Sequence, residues 1–216
     1  MSNVTIIGGH GKVALLLAPL LKKAGHEVSS WIRNPEHVAD VEATGAEAVV
    51  ADIETMSAAD MAELLKDTGT DVVVWSAGAG GGSPKRTYAV DLEAARRSME
   101  AAGLAGVQRY LMVSYFGAGP NHGVPESNSF YAYADAKSQA DGALAETSLD
   151  WTILRPSTLT LEAPTGSIET GEGVEGSHVS RGNVAAVIAA AVDDPATIGK
   201  TYEFNDGSTP IAEALG

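Results

Sequence analysis

Residues 4–14, VTIIGGHGKVA, constrain this chain more than any other stretch: a short apolar run breaks into glycines and then resumes as a helical pattern. That order describes a strand, a tight turn and the first turn of a helix. Gly8, Gly11 and Ala14 stand at the spacing G-x-x-G-x-x-A. The first glycine permits the turn, the second lets backbone approach a ligand, and the small third residue lets helix pack on strand. A helix N-terminus carries unpaired N–H groups and a partial positive charge, which suit an anion such as the diphosphate of a dinucleotide. His10, Lys12 and Val13 lie in the same turn and join the glycines as candidate contacts. Glycines also punctuate turns for steric reasons alone, so the motif needs support from the rest of the chain.

The remainder alternates strand-like and helix-like stretches without an internal repeat. A helix over 11–24 places Val13, Leu16, Leu17, Leu20 and Leu21 at helical spacing, with a kink expected at Pro19, which has no N–H. Strands are predicted at 26–32, 48–51, 71–76, 109–114, 151–154 and 202–204. Helices are predicted at 57–66, opened by a Ser57/Asp60 capping box, and at 84–102, 130–146 and 184–192. This alternation predicts an α/β fold: a Rossmann-like, doubly wound, mostly parallel sheet with helices on both faces. Residues 1–216 make one domain of this kind, and its ligands should bind beyond the carboxyl ends of the strands. Loops 116–128 and 157–177 should form the substrate side. The second carries Glu162, Glu169, Glu172 and Glu175 among glycines, the composition either of a mobile cover or of a plainly solvated loop.

Charge narrows the partners. A formal net charge of −14 argues against a nucleic acid or an anionic membrane and leaves a small molecule as the expected partner. No apolar stretch reaches the roughly 18 residues of a spanning helix, and Val4 opens the first strand so early that no signal peptide is expected. A cytoplasmic protein, monomeric or homodimeric, is the expectation. There is no cysteine, hence no disulfide or thiolate chemistry. The histidines lack ligand spacing, so no metal is expected.

The second strand ends Trp31-Ile32-Arg33-Asn34, where an NAD site usually offers a carboxylate to the ribose diol. A guanidinium there suits a 2′-phosphate, so NADP (NADPH) is expected ahead of NAD; the alternative is a solvated arginine at a strand end. Asp52 and Ile53, after the third strand, should face an adenine ring. Ser76, Ala77 and Gly78, after the fourth, let backbone pass close beneath the cofactor. His10 suits a phosphate contact or an ordinary surface position, and Lys85 and Arg86 read first as solvated residues of a helix's opening turn.

Tyr133-Ala134-Asp135-Ala136-Lys137 sets a phenol and an ammonium four residues apart, on one face of a helix that follows the fifth strand. Ser114 ends that strand. An adjacent ammonium favours the phenolate, so Tyr133 is expected to have a lowered pKa and to serve as acid or base.

With these residues in view, the chain resembles the atypical short-chain dehydrogenases/reductases, NAD(P)-binding Rossmann proteins often described as epimerase- or dehydratase-like. The resemblance covers nearly the whole length. It rests on IIGGHGKVA, WIRNPE, ADIE, VVVWSAGAGGG, YLMVSYFGAG, YADAK and LRPSTL. It implies that Tyr133 exchanges a proton with the substrate oxygen, that Lys137 holds the nicotinamide ribose, and that Ser114 hydrogen-bonds the substrate oxygen. Pro156 and Ser157, after LR, would pass the nicotinamide. The fourth family position is usually Asn; Asp91 stands nearby, either catalytic or a helix carboxylate that holds loop N–H groups. An NADP(H)-dependent oxidoreductase acting on a small carbonyl or alcohol is the leading expectation. The rivals are an epimerase/dehydratase with retained cofactor, a non-catalytic NADP(H)-binding redox sensor, and a flavin reductase in which Tyr133 is a bystander.

Overall fold

The computed structural model describes residues 1–80 and 83–216. Its frame is a nine-stranded sheet built from β1 (Asn3–Ile7), β2 (Glu27–Ile32), β3 (Glu47–Val50), β4 (Val72–Trp75), β5 (Arg109–Val113), β6 (Asp150–Pro156), β8 (Ser167–Thr170), β10 (Lys200–Asp206) and β11 (Thr209–Pro210). The strand order is β11-β8-β10-β6-β5-β4-β1-β2-β3. From β3 across to β10 every neighbouring pair is parallel, and only β8 runs against its neighbours. The order reverses between β1 and β4, which is the topological switch point of a doubly wound sheet. This is the Rossmann-like α/β arrangement expected from the sequence.

Period two explains how one sheet feeds two cores. In β4, Val72 and Val74 join the core on one face while Val73 and Trp75 join the other; Ile6 and Ile7 of β1 divide in the same way. The first core is closed by α1 (Lys12–Ala24), α7 (Arg181–Asp193) and α8 (Ile211–Leu215). The second is closed by α3 (Ala58–Asp67), α5 (Ala95–Ala105) and α6 (Tyr131–Ala145). Both faces are covered, so the parallel strands can be apolar throughout. α1 runs on through Pro19, which sits on its exposed side, where water can take the carbonyl that the missing N–H leaves open. Ser57 and Asp60 form the expected capping box at the head of α3.

Three features depart from the sequence reading. The helix predicted over 84–102 runs further and is not uniform: α4 (Pro84–Thr87) passes into a π-helical segment, Tyr88–Ala94, before α5. Residues 157–177 are not a simple cover. They contain β7 (Thr158–Thr160), which pairs with β9 (His178–Ser180), and β8, which adds to the main sheet; strands of three and four residues are too short to show a period in the sequence. Arg155 and Pro156 belong to β6 itself rather than to a following loop. Of the glycine loop expected at 78–82, Gly81 and Gly82 lie outside the described residues. The short α2 (Val38–Glu42) links β2 to β3. No helix among the described residues is long and apolar enough to cross a membrane.

Candidate active site

Two cavities sit along the carboxyl ends of the parallel strands and share Gly11, Ser76, Ala77 and Gly78. The shared residues lie where the switch point requires them. Gly8 has φ +92° and a Cβ there would stand 2.6 Å from the Cα of Ala77, so both the turn and the contact between the β1 and β4 ends require glycine. Gly8 and Gly9 donate to the carbonyl of Trp31 at 3.2 and 2.9 Å, tying the turn to β2. Gly11 then stands at the N-cap of α1, with no side-chain cap. Its first N–H groups have no intrahelical acceptors and open on the cleft beside Lys12 and Val13. An uncapped helix end over an obligatory glycine turn fits a diphosphate.

The smaller cavity, about 330 Å³, extends from there toward β2 and β3 and is lined by Arg33, Asp52, Ile53, Glu54 and Arg86 among others. Arg33 is not the free cation that the sequence suggests. Its Nη1 donates to Glu54 Oε1 at 2.7 Å, and Arg86 donates to the same oxygen from Nε at 3.0 Å and Nη2 at 2.9 Å. Arg86, expected to be a solvated first-turn residue, is half-buried, and its Nη1 also donates to the Ala79 carbonyl at 2.6 Å. Asp52 lines the same cavity, and its Oδ1 accepts the Glu54 N–H at 3.1 Å, which shapes the turn that delivers Glu54. Arg97 fixes the same turn by donating to the carbonyls of Ile53 and Met56. His10 lines the cavity, but its Nε2 lies 3.0 Å from Asp40 Oδ2 and its ring stacks on His37 at 3.6 Å.

The larger cavity, about 900 Å³, holds Ser114, Tyr133, Lys137, Pro156 and Ser157. Lys137 is 2 % exposed; its Nζ donates to the Val113 carbonyl at 2.7 Å and lies 3.9 Å from Asp91 Oδ1. Asp91, fully buried, comes from the π-helical segment, and its Oδ2 accepts the Ala79 N–H at 3.0 Å. Asp91 therefore holds the loop after β4 and faces the ammonium at once. A π turn changes which residue points inward and is often found where a helix meets a site. Burial opposes charge on both partners: it pushes the Asp91 carboxyl up, with Lys137 pulling it back, and pushes the Lys137 ammonium down, with Asp91 opposing.

Tyr133 departs from the sequence expectation. Its phenol is pushed up, chiefly by burial and further by Asp91, Asp141 and Tyr115, rather than lowered by the nearby ammonium. The charge of Lys137 is already engaged by Val113 and Asp91, so the two carboxylates dominate the field at the ring. Ser114 Oγ donates to Asp141 Oδ2 at 2.9 Å, and Arg155 Nε donates to the same oxygen at 2.9 Å. Asp141, 2 % exposed, is a site residue that the sequence reading missed; it follows Lys137 by one turn of α6 in YADAKSQAD, and that spacing was the available signal. Glu54 was missed because its partners come from two other elements. The aromatic rings of Tyr115, Phe130 and Tyr133 form one cluster with centroids 5.2–5.6 Å apart. Glu162, His178 and Asp206 bring ligand-type atoms within 4.8 Å of one another on the exposed β7–β9 side, with Asp206 already accepting from Ser180 and Asn183.

Residues 8–195 match the model of the NAD(P)H-binding family. The uncharacterized sugar epimerase YhfK of Bacillus subtilis (strain 168) is 35% identical over 215 residues, which is 99% of this chain and 98% of that protein. A solved structure from Bacillus halodurans, described as a candidate NAD-dependent epimerase/dehydratase, superposes with a TM-score of 0.91 at 35% identity, covering 100% of this chain and 99% of that one. The oxidoreductase ylbE of Lactococcus lactis superposes with a TM-score of 0.87 at 30% identity, covering 99% and 94%. These relatives span nearly the full length of the chain, and the chain belongs to the NAD(P)H-binding family as an atypical short-chain dehydrogenase/reductase-like Rossmann protein.

Proposed function

We propose that this chain is an NADP(H)-dependent oxidoreductase that interconverts a carbonyl and an alcohol on a small molecule. The observation that carries the reading is that Ser114, Tyr133 and Lys137 line one cavity continuous with the glycine turn and the α1 N-terminus. Arg33 and Arg86 support NADP over NAD: two guanidiniums share one carboxylate oxygen, leaving positive charge where a 2′-phosphate would sit. When bound, the nicotinamide would supply or accept the hydride.

The chain's own groups handle the proton and the positioning. Tyr133, held protonated by its buried setting, gives a proton to the substrate oxygen as the carbonyl becomes an alcohol, and recovers it in the reverse direction. Lys137 places its ammonium against Asp91 and the end of β5, where it can meet ribose hydroxyls. Ser114 spends its hydrogen on Asp141, so toward the cleft its oxygen accepts; it can hold a substrate hydroxyl, and it has no donor for a carbonyl. This favours keeping a second reading, an epimerase or dehydratase with retained cofactor, whose substrates are hydroxylated and whose name the Bacillus subtilis relative carries.

The test is consumption of NADPH with a panel of aldehydes, ketones and quinones, run against Tyr133→Phe. Turnover that collapses in the variant supports the oxidoreductase. Tight NADPH binding without turnover points to a sensor. Flavin reduction that persists in Tyr133→Phe points to a flavin reductase. Racemisation of a hydroxylated substrate without net change in NADPH points to the epimerase.

A further inference from the structure

The larger cavity has a chemical bias that the coenzyme does not use up. The chain carries a net charge of −14, yet among the described residues lining this cavity there is no carboxylate, while Lys12, Lys137 and Arg181 all line it. Two of these cations already have work in the coenzyme reading. Lys12 opens α1, at the diphosphate end, and Lys137 is bound to Val113 and faces Asp91. Arg181 opens α7 on the far side, beside Leu159 of β7. Its Nη1 donates to the carbonyls of Leu159 and Thr160 at 3.1 and 2.8 Å, and no carboxylate pairs with it among the described residues. One edge of the guanidinium is thereby pinned. The Nε and Nη2 donors have no partner among the described residues.

The same cavity is also lined by aromatic residues. Tyr115, Phe130 and Tyr133 present mutually tilted rings, and Phe130 stays 43% exposed although it lines the cavity. Phe116 adds a fourth ring, and it lies so near Gly176 that a Cβ there would stand 3.0 Å from its edge. Such aromatic rings select a flat apolar body. A half-buried guanidinium held in place in the same cavity selects an oxyanion, which it can grip through two parallel N–H donors. With the ordering of Arg181 already achieved by β7, little rotamer freedom is lost on binding.

We infer that the substrate of this site is a conjugated, ring-bearing carbonyl compound with a carboxylate, and that Arg181 anchors the carboxylate while the reacting carbonyl lies beneath Tyr133. This rests on the oxidoreductase reading above. Reduction would add a hydride from the reduced nicotinamide to the carbonyl carbon and a proton from Tyr133 to its oxygen, leaving an alcohol and oxidised coenzyme.

The experiment compares 4-carboxybenzaldehyde with its methyl ester, two aldehydes of one shape that differ in the charge. In the native protein kcat/KM with NADPH should favour the acid by about 10–100-fold. In Arg181→Met the acid-to-ester ratio should fall toward 1, and Arg181→Lys should retain part of the preference. The ester measured in the same preparation is the internal reference for folding. A parallel titration follows 4-(hydroxymethyl)benzoate and its methyl ester into the protein loaded with NADP, so that the preference is read even where turnover is slow. No acid preference in the native protein, or a preference that survives in Arg181→Met, overturns the inference. Failure to bind NADP or NADPH at all overturns the coenzyme reading instead, and the two failures are told apart by measuring coenzyme affinity first.

Discussion

Ser114 Oγ donates its only hydrogen to Asp141 Oδ2, at 2.9 Å, and the same carboxylate oxygen takes the Nε hydrogen of Arg155. The serine that follows β5 is thus turned away from a carbonyl and toward α6. For carbonyl reduction, Ser114→Ala should therefore lower kcat/KM by less than about 10-fold, the scale of one neutral hydrogen bond. Tyr133→Phe should lower it by about 10²–10⁴-fold, the scale of a general acid. Steady-state rates on one substrate decide this, and equal losses in the two variants would refute the assigned orientation of Ser114.

Asp91 couples a loop to a buried cation, and removing it should show in stability before it shows in rate. Asp91→Ala leaves the Lys137 ammonium without its carboxylate and the Ala79 N–H without its acceptor. Breaking a buried pair from one side costs about 3–5 kcal/mol, so Tm should fall by roughly 6–20 °C for a domain of this size. Asp91→Asn keeps an acceptor for Ala79 and loses only the charge, and should fall between native and Ala. Calorimetry of the three proteins without coenzyme checks the order.

The pH profile follows from the direction of the Tyr133 shift. Burial raises the phenol above its ordinary value near 10, and Asp91 and Asp141 push the same way. An acid with a raised pKa keeps its proton through the neutral range, so the reductive direction should be flat between about pH 6 and 9 on its account. The oxidative direction needs the phenolate, so its rate should climb about tenfold per pH unit without a plateau in that window. Reduction that fades above pH 7 would mean that the proton comes from a group other than Tyr133.

How much of this was legible beforehand depends on how local the cause is. The glycine turn, the capping box at Ser57 and the continuous apolar run of β4 are properties of a few adjacent residues, and each predicted its element. Tyr133 and Lys137 are one helical turn apart, so their common face could be read as well. The pairs that set the site's electrostatics join distant stretches: Arg33 with Glu54, 21 positions on, and Ser114 with Asp141, 27 positions on. No periodicity carries that information; only the sheet order brings the partners together. The π-helical segment was hidden for another reason. Tyr88–Ala94 contains no glycine or proline to mark it, and it differs from an α-helix only in which side chain ends up buried.

Glu54 bonds two guanidiniums in the cavity proposed to take NADP, where it would compete with a 2′-phosphate. Its Oε1 takes hydrogens from both Arg33 and Arg86, and a bound phosphate must share or displace that oxygen. Removing the competitor and removing a donor should have opposite effects. Glu54→Gln abolishes the negative charge, so NADPH should bind more tightly while NADH, which carries no phosphate there, changes little. Arg33→Ala removes one charge-assisted donor, and NADPH affinity should drop by about 10–100-fold, again with little change for NADH. Fluorescence titration of both coenzymes into the three proteins gives the affinity ratio directly. Should Glu54→Gln instead weaken NADPH and NADH alike, Glu54 is holding the two arginines in place for the adenosine ribose, and the preference for NADP loses its structural basis.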